Sequence, residues 1–157
     1  MSRLYRVVAL ALLILGFCLP ASNIVAQSSD MEAVKAANQA FYAALSARDI
    51  GAMEKVWSKN ADVRQVGPRS KTFDIGWPAV KQNFERVFDF FTQLSVEEEN
   101  PEIKIYGSIA LVSGVEKAQR KTKTGESQTA ASFGTNIFEK QNGRWLMIYH
   151  HFSPVLQ

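Results

Sequence analysis

Two adjacent histidines, His150 and His151, are the side chains of this sequence best suited to acid–base chemistry near neutral pH. An imidazole has a reference pKa of roughly 6.5, so it can accept or release a proton under ordinary conditions. Both lie in Arg144–Pro154, where an apolar run after Asn142 and Gly143 predicts the closing strand of a hairpin. Because neighbouring strand residues point to opposite faces, only one of the two can reach a given pocket.

Other residue patterns favour no further chemistry. Cys18 is the only cysteine and lies in a predicted leader, so no thiolate nucleophile or thiolate metal ligand is expected in the mature domain. Two diverging histidines do not make a zinc site, and we expect neither a metal nor a cofactor. The run Glu97-Glu98-Glu99 alternates between strand faces ahead of Pro101, which is typical of a solvated strand edge.

Residues 1–26 have the pattern of a secretory signal peptide. Two arginines precede an apolar run that is short for a bilayer span, and Ala26 is a small residue suited to a cleavage site. An uncleaved anchor and lipidation of Cys18 are the alternatives. We therefore expect a secreted or periplasmic domain, residues 27–157, without a stable membrane anchor.

The charge of the predicted mature domain gives little support to nucleic-acid binding. Two of the 18 basic residues and none of the 15 acidic residues belong to the leader, which leaves a net charge of +1. The one basic cluster contains Lys117, Arg120, Lys121 and Lys123 and is typical of a solvated hairpin tip. No nucleic-acid partner is expected.

Hydrophobic periodicity predicts three helices followed by strands. The first helix is expected to begin at an N-cap in residues 28–30, the second at the N-cap Asp49 and the third at Gly76-Trp77-Pro78. Strands are expected at residues 61–66, 94–99, 103–106, 109–118, 127–140 and in the final segment. Helices that precede a meander of strands predict one α+β domain with its helices on one sheet face.

Three stretches together resemble the SnoaL-like branch of the nuclear-transport-factor-2-like superfamily, which includes relatives of ketosteroid isomerase. They are residues 41–50 (FYAALSARDI), 76–80 (GWPAV) and 142–154 (NGRWLMIYHHFSP). The resemblance implies a cone-shaped α+β fold, in which three N-terminal helices pack on a curved antiparallel sheet around a deep pocket. It also implies a homodimer formed through the convex face of the sheet.

The resemblance also bears on activity. Ketosteroid isomerases combine a proton-carrying carboxylate with a tyrosine and a protonated aspartate. Phe41 stands at the tyrosine position, Gln65 stands at the carboxylate position, and residues 127–138 contain no acid. Asp62 is an odd number of strand positions from Gln65 and is expected to point away from the pocket or to cap a turn. Ketosteroid isomerase activity is therefore not expected.

Strand parity in the last hairpin assigns the inner face. A three-residue loop would pair Phe138 with Leu146 and Asn136 with Ile148, whereas a two-residue turn would reverse the pairing between the strands. The resemblance implies that the residues of the first pairing lie inside the cone, and that His150 lies there with them. His150 is then the acid–base candidate, unless it is held in the core by a hydrogen bond to Asn136.

The remaining predicted pocket residues are mostly aromatic, and they either line a ligand cavity or fill the core. With the polar positions included, the predicted pocket contains Phe41, Trp57, Gln65, Phe84, Phe88, Ser113, Asn136 and Phe152. The opposite face of the last strand carries an apolar stripe that is expected to contact a second subunit. This predicted dimer face contains Trp145, Met147, Tyr149 and His151.

Three functions are compatible with these residues. The first is an exported domain that binds a small, mainly apolar molecule in its pocket. The second is a lyase, isomerase or cyclase that uses His150 with Gln65 as a hydrogen-bonding partner. The third is a dimeric protein-interaction module with a vestigial pocket. An open cavity with converging polar groups favours the first two, and a filled cone favours the third.

Overall fold

A computed structural model describes the backbone of residues 21–156 and the side chains of residues 27–156. The charged start and apolar run of the predicted signal peptide, with Cys18, lie outside the described residues. Among the helices that the structure describes, none combines the length and apolarity needed to cross a membrane.

Three helices come first in the chain: α1 (Ala21–Ala47), α2 (Ile50–Val56) and α3 (Trp77–Phe90). The predicted N-cap of α2 is confirmed, since the Asp49 side chain accepts a hydrogen bond from the backbone N–H of Ala52 at 3.0 Å. The predicted start of α1 is wrong, because residues 28–30 lie inside the helix. Asp30 instead accepts hydrogen bonds from Lys140 and from the indole of Trp145.

Six strands form one open sheet in the order β2-β1-β6-β5-β4-β3. They are β1 (Arg64–Val66), β2 (Asp74–Ile75), β3 (Phe91–Tyr106), β4 (Ile109–Thr122), β5 (Ser127–Gln141) and β6 (Arg144–Pro154). The long strands are antiparallel as predicted, but β1 runs parallel to β6, so the sheet is mixed. β3 continues through Asn100, whose φ of 50° accompanies a register shift between Glu99 and Glu102.

The turn between β5 and β6 has two residues, not three. Asn142 and Gly143 have φ values of 50° and 80°, and Gln141 pairs with Arg144 across them, as in a type I′ turn. Phe138 consequently pairs with Met147 and not with Leu146. The expected three-residue loop is therefore wrong.

A β-bulge in β6 then changes the register. Ile137 pairs with Tyr149, one residue later than the turn alone would give, so Ile148 is the extra residue. Beyond the bulge, His150 pairs with Asn136 on the inner face. His150 therefore points inward as expected, but the expected pairing of Asn136 with Ile148 is wrong.

Because of this turn and bulge, the four residues of the predicted dimer face do not lie on the same side of the sheet. Trp145 and Met147 face the helices and are 5% and 0% exposed, so their assignment to the outer face is wrong. Tyr149 and His151 alternate with the inward His150 and lie on the outer face.

The core fills the space between the helices and the inner face of the sheet. Phe84 of α3 lies between two fully buried aromatic residues, with ring-centroid distances of 6.2 Å to Phe41 and 6.1 Å to Trp57. Burial of such side chains supplies most of the stability of a domain that has no disulfide to rely on. The helices thereby cover one end of the inner face and leave the other end open.

Candidate functional site

An open cavity of about 780 Å³ lies between α3, the loop at residues 67–72 and the inner face of strands β3 to β6. One part of its wall is apolar and includes Leu45, Phe84, Val87, Leu94, Val96, Ala118, Ala130 and Phe152. The other part is polar and includes Gln65, Asn83, Arg86, Glu116, Arg120, Ser132 and His150. The cavity is large enough for a drug-sized molecule.

Three of the predicted pocket residues, Gln65, Phe84 and Phe152, lie on this wall, together with the acid–base candidate His150. Their elements explain why they meet. β1 runs parallel to β6 and pairs Gln65 directly with His150, while α3 brings Phe84 over the same end of the sheet. The His150 and Phe152 rings stack with centroids 5.4 Å apart.

The other predicted pocket residues lie elsewhere. Phe41, Trp57 and Asn136 are almost completely buried, and Phe88 packs against the core without reaching the cavity wall. The assignment of Ser113 to the pocket is wrong. Its neighbour Val112 is the residue that faces the core, so strand alternation turns Ser113 to the outer face.

His150 is 3% exposed, and its Nδ1 lies 2.7 Å from Oδ1 of Asn136. Burial strongly disfavours the charged ring and lowers the pKa of His150 to about 3, with a smaller contribution from His151. The ring is therefore neutral at neutral pH. This geometry corresponds to the alternative in which Asn136 holds the histidine, and it does not favour a base that titrates near 6.5.

The amide of Asn136 also defines the tautomer of His150. Its Nδ2 donates to Oδ1 of Asn38 at 2.8 Å and to the Tyr42 hydroxyl at 3.2 Å, so its oxygen faces the histidine. An oxygen accepts, and Nδ1 of His150 must therefore carry the proton. Nε2 is left as a hydrogen-bond acceptor on a residue of the cavity wall.

Two carboxyl groups, one buried and one partly buried, extend this network. The Tyr42 hydroxyl donates to Oε1 of Glu116 at 2.8 Å, and Nδ2 of Asn38 donates to Oε2 of Glu98 at 2.6 Å. Glu98 and Glu116 are directly opposite each other in the β3–β4 ladder. Burial raises the pKa of Glu116 to about 7, with a further contribution from the charge of Glu98, and burial also raises the pKa of Glu98.

Gly114 and Gly134 provide the space for these carboxyl groups. The two glycines pair with each other across β4 and β5. A Cβ on Gly134 would lie 2.6 Å from Oε1 of Glu116, and a Cβ on Gly114 would lie 2.7 Å from Cγ of Glu98. Any larger residue would therefore displace a carboxyl group, which gives both glycines a steric role in the site.

The sequence-based reading missed both acids. Glu116 shares strand parity with the core residues Ala110 and Val112, and Glu98 shares it with Val96, which packs against the core. This alternation could have indicated that both acids face inward. Their hydrogen-bond donors on α1 had no local signal, because they are 60 and 74 residues away in the chain.

Two polar atoms of wall residues have no hydrogen-bond partner: Oε1 of Gln65 and Nε of Arg120. A buried acceptor and a buried donor of this kind usually have partners, so each leaves a hydrogen bond unmade beside the cavity. Among the residues that the structure describes, no cluster of histidine, cysteine, aspartate or glutamate side chains is arranged to hold a metal ion.

These features define an α+β protein of the nuclear-transport-factor-2-like class, and the predicted fold is confirmed. Within that class, residues 34–157 match the family model of the SnoaL-like domain, and the chain belongs to that family. No curated protein matches the sequence.

Solved structures from several bacteria share the fold. A candidate dehydratase of the NTF2-like family from Streptomyces avermitilis is 24% identical, with a TM-score of 0.76 over 83% of this chain and 99% of that chain. A candidate scytalone dehydratase from Novosphingobium aromaticivorans is 16% identical, with a TM-score of 0.72 over 85% and 89%. A candidate calcium/calmodulin-dependent protein kinase II association domain from Xanthomonas campestris is 19% identical, with a TM-score of 0.68 over 79% and 86%. At these identities the likeness shows the fold alone.

Proposed function

We propose that the protein binds a small molecule in the cavity between α3 and the sheet. The observation that carries this proposal is Gln65, a residue of the cavity wall that is 5% exposed and whose buried Oε1 has no hydrogen-bond partner. Leaving such an acceptor unpaired costs about 1–3 kcal/mol, which a ligand hydroxyl or N–H would recover. The polar half of the wall favours an amphipathic ligand over the mainly apolar one expected from the sequence.

Filling the cavity should abolish binding. Ala118 faces the cavity between Val96 and Ala130, so Ala118→Trp would occupy the space of a ligand. Native mass spectrometry of protein incubated with a mixture of host metabolites measures the effect. We expect a bound mass in the wild type that is lost in Ala118→Trp.

The matched control is Gln119→Trp, one residue along β4 at an exposed position that does not line this cavity. It should keep the bound mass. Equal retention in both tryptophan variants would show that the ligand binds elsewhere, and the cavity proposal would then be wrong.

Acid–base catalysis is the second candidate function, with Glu116 in the role expected for His150. Glu116 lines the cavity, and its pKa of about 7 allows it to gain and lose a proton near neutral pH. The names of two fold neighbours, a candidate dehydratase and a candidate scytalone dehydratase, are compatible with lyase chemistry here.

We further propose a homodimer through the outer face of the sheet. Tyr149 and His151 remain on this face, where they join Leu111 and Ile137, and Phe133 is 55% exposed nearby on β5. Trp145 and Met147 are not part of this surface. Apolar groups on an uncovered sheet face are stabilised by a second copy of the same face.

We also propose export, followed by removal of residues 1–26. Cutting after Ala26 would shorten α1 to a helix with Asp30 in its first turn, where a negative charge is favourable. N-terminal sequencing of protein from the host's exported fraction should begin at Gln27 or close to it. Intact Met1 on a membrane-associated form would contradict this expectation.

A further inference from the structure

We propose that Glu98 and Glu116 act as a carboxyl pair that holds one proton, and that Glu116 exchanges this proton with a bound substrate. The inference rests on the proposed function, because the same cavity must admit the substrate. Glu116 lines the cavity and Glu98 does not. Glu116 is therefore the catalytic residue of the pair, and Glu98 is a positioning residue that acts through it.

The geometry of the two acids explains why they share a proton. Glu98 and Glu116 are directly opposite in neighbouring antiparallel strands, where Cβ atoms lie about 4.5–5.5 Å apart. Two carboxylates at this separation in a buried site cannot both be ionised at low cost. Tyr42 has a single hydroxyl proton, which it donates to Glu116, while Asn38 donates to Glu98. Oε1 of Glu98 has no partner and is free to carry the proton.

Charged groups elsewhere in the site do not neutralise the pair. Tyr42 on α1 and Glu98 on β3 lie against Glu116. The other charged and polar groups that share its cavity wall include Gln65 on β1, Asp74 on β2, Arg86 on α3, Arg120 on β4, His150 on β6, and Arg69 and Lys71 in the loop at residues 67–72. His150 is neutral, and none of these basic side chains forms an ion pair with Glu116 among the described residues. The carboxyl pair therefore keeps a shared proton.

One observation besides the acids points to a substrate at this place. Gln65 lies on the same wall, and its buried Oε1 has no partner and requires a hydroxyl or N–H donor. Gly114 and Gly134 leave room for the two acid side chains themselves. The substrate class that would use both groups has a hydroxyl or N–H group for Gln65 and a C–H bond acidic enough for Glu116 to break, as in a small hydroxy carbonyl compound.

The chemistry needs no oxidant or reductant. Ionised Glu116 takes a proton from the carbon next to the carbonyl, and the electrons of the broken C–H bond form the enolate. Protonated Glu116 then returns the proton to the hydroxyl group on the next carbon. The C–O bond breaks, the enolate electrons form the C=C bond, and water leaves. Return of the proton to a different carbon would instead give an isomer.

Carboxyl ¹³C NMR of glutamate-labelled protein tests the shared proton directly. Comparison with Glu116→Gln assigns the Glu116 signal, which should titrate near 7 in the wild type. In Glu98→Gln the midpoint should fall by about one unit or more, because the like charge is removed. A merely structural role of Glu98 would leave the midpoint in place. A Glu116 signal that titrates below 5 in the wild type would overturn the proposal.

Ring opening of nitrobenzisoxazole tests whether Glu116 reaches a substrate. In this reaction a base removes the C–H proton, the N–O bond breaks, and a coloured cyanophenolate forms. The kcat/KM should rise with pH through about 7 and fall about a hundredfold or more in Glu116→Gln. Glu102→Gln, on the exposed side of β3, is the matched control and should keep full activity.

The two proposals fail in different ways. A probe that binds in an Ala118→Trp-sensitive manner, but is opened equally fast by wild type and Glu116→Gln, would disprove proton exchange by Glu116 and leave ligand binding intact. If native mass spectrometry detects neither metabolite nor probe in the cavity, ligand binding itself is disproved and the catalytic proposal fails with it.

Discussion

Met147→Asp is expected to unfold the protein, not to separate two subunits. Met147 is 0% exposed, and it contacts the core through its strand partner Phe138 and a backbone bridge to Trp57. A carboxylate there would be buried without a cation. We expect a loss of about 4–5 kcal/mol or more, comparable to the whole stability of many domains, and urea denaturation followed by circular dichroism measures it.

Tyr149→Asp is the matched variant, two positions along β6 and on the outer face. It should change the free energy of unfolding by less than about 1 kcal/mol, since the site is not fully buried within the subunit. Sedimentation should show a weakened dimer. A folded, monomeric Met147→Asp protein would contradict the burial of Met147, and an unchanged dimer in Tyr149→Asp would contradict the proposed interface.

Between pH 4.5 and 6.5 two buried groups, His150 and Glu116, are expected to change the stability of the protein in opposite directions, so their effects offset each other. The pKa of His150 is lowered from 6.5 to about 3, so its contribution is present above 6.5 and is lost as the pH falls towards 3. The pKa of Glu116 is raised from 4.5 to about 7, so its contribution is present below 4.5 and is lost as the pH rises towards 7.

Substitution of either group should reveal the effect of the other on the pH dependence of stability. In Glu116→Gln the stability should rise between pH 4.5 and 6.5, by up to roughly 3 kcal/mol, because the proton uptake of His150 on unfolding then dominates. In His150→Gln the stability should instead fall over the same pH range, by an amount of similar size. Urea denaturation at a series of pH values measures both slopes.

His151→Gln serves as the control, since His151 lies next to His150 but on the outer face. It should keep the pH profile of the wild type. A steep wild-type profile between pH 4.5 and 6.5, unchanged in Glu116→Gln, would show that Glu116 is ionised throughout this range.

Local signals were sufficient for most of the fold. Asp49 and Pro78 indicated the starts of α2 and α3, and Asn142-Gly143 indicated the last hairpin. The bulge at Ile148 has no local signature, because it depends on how the sheet bends around the helices. The turn was predicted one residue too long, and the unforeseen bulge restored the inward position of His150 by a different route.

The candidate site was harder to predict than the fold. The resemblance placed Gln65 in the pocket, the resemblance and strand parity together placed Phe152 there with His150, and the structure brings all three to one cavity. The acids were overlooked because a glutamate in a strand is usually solvated, and only the docking of α1 supplies the hydrogen-bond donors of Glu98 and Glu116. The pKa of His150 depends on the same packing, so sequence alone could not give it.

The facing glycines of β4 and β5 constrain how this domain can diverge. A mutation of Gly134 to alanine would be tolerated only in a lineage whose residue at position 116 had already become shorter, since the Cβ and the Glu116 carboxyl compete for one volume. Gly134 and Glu116 should therefore be inherited as a linked pair among SnoaL-like relatives, and members that have replaced Gly134 should also have replaced the acid and, with it, the chemistry of the cavity. Gly114 should stay glycine even where position 98 is shorter, because a Cβ there would also lie 2.9 Å from the backbone oxygen of Glu99.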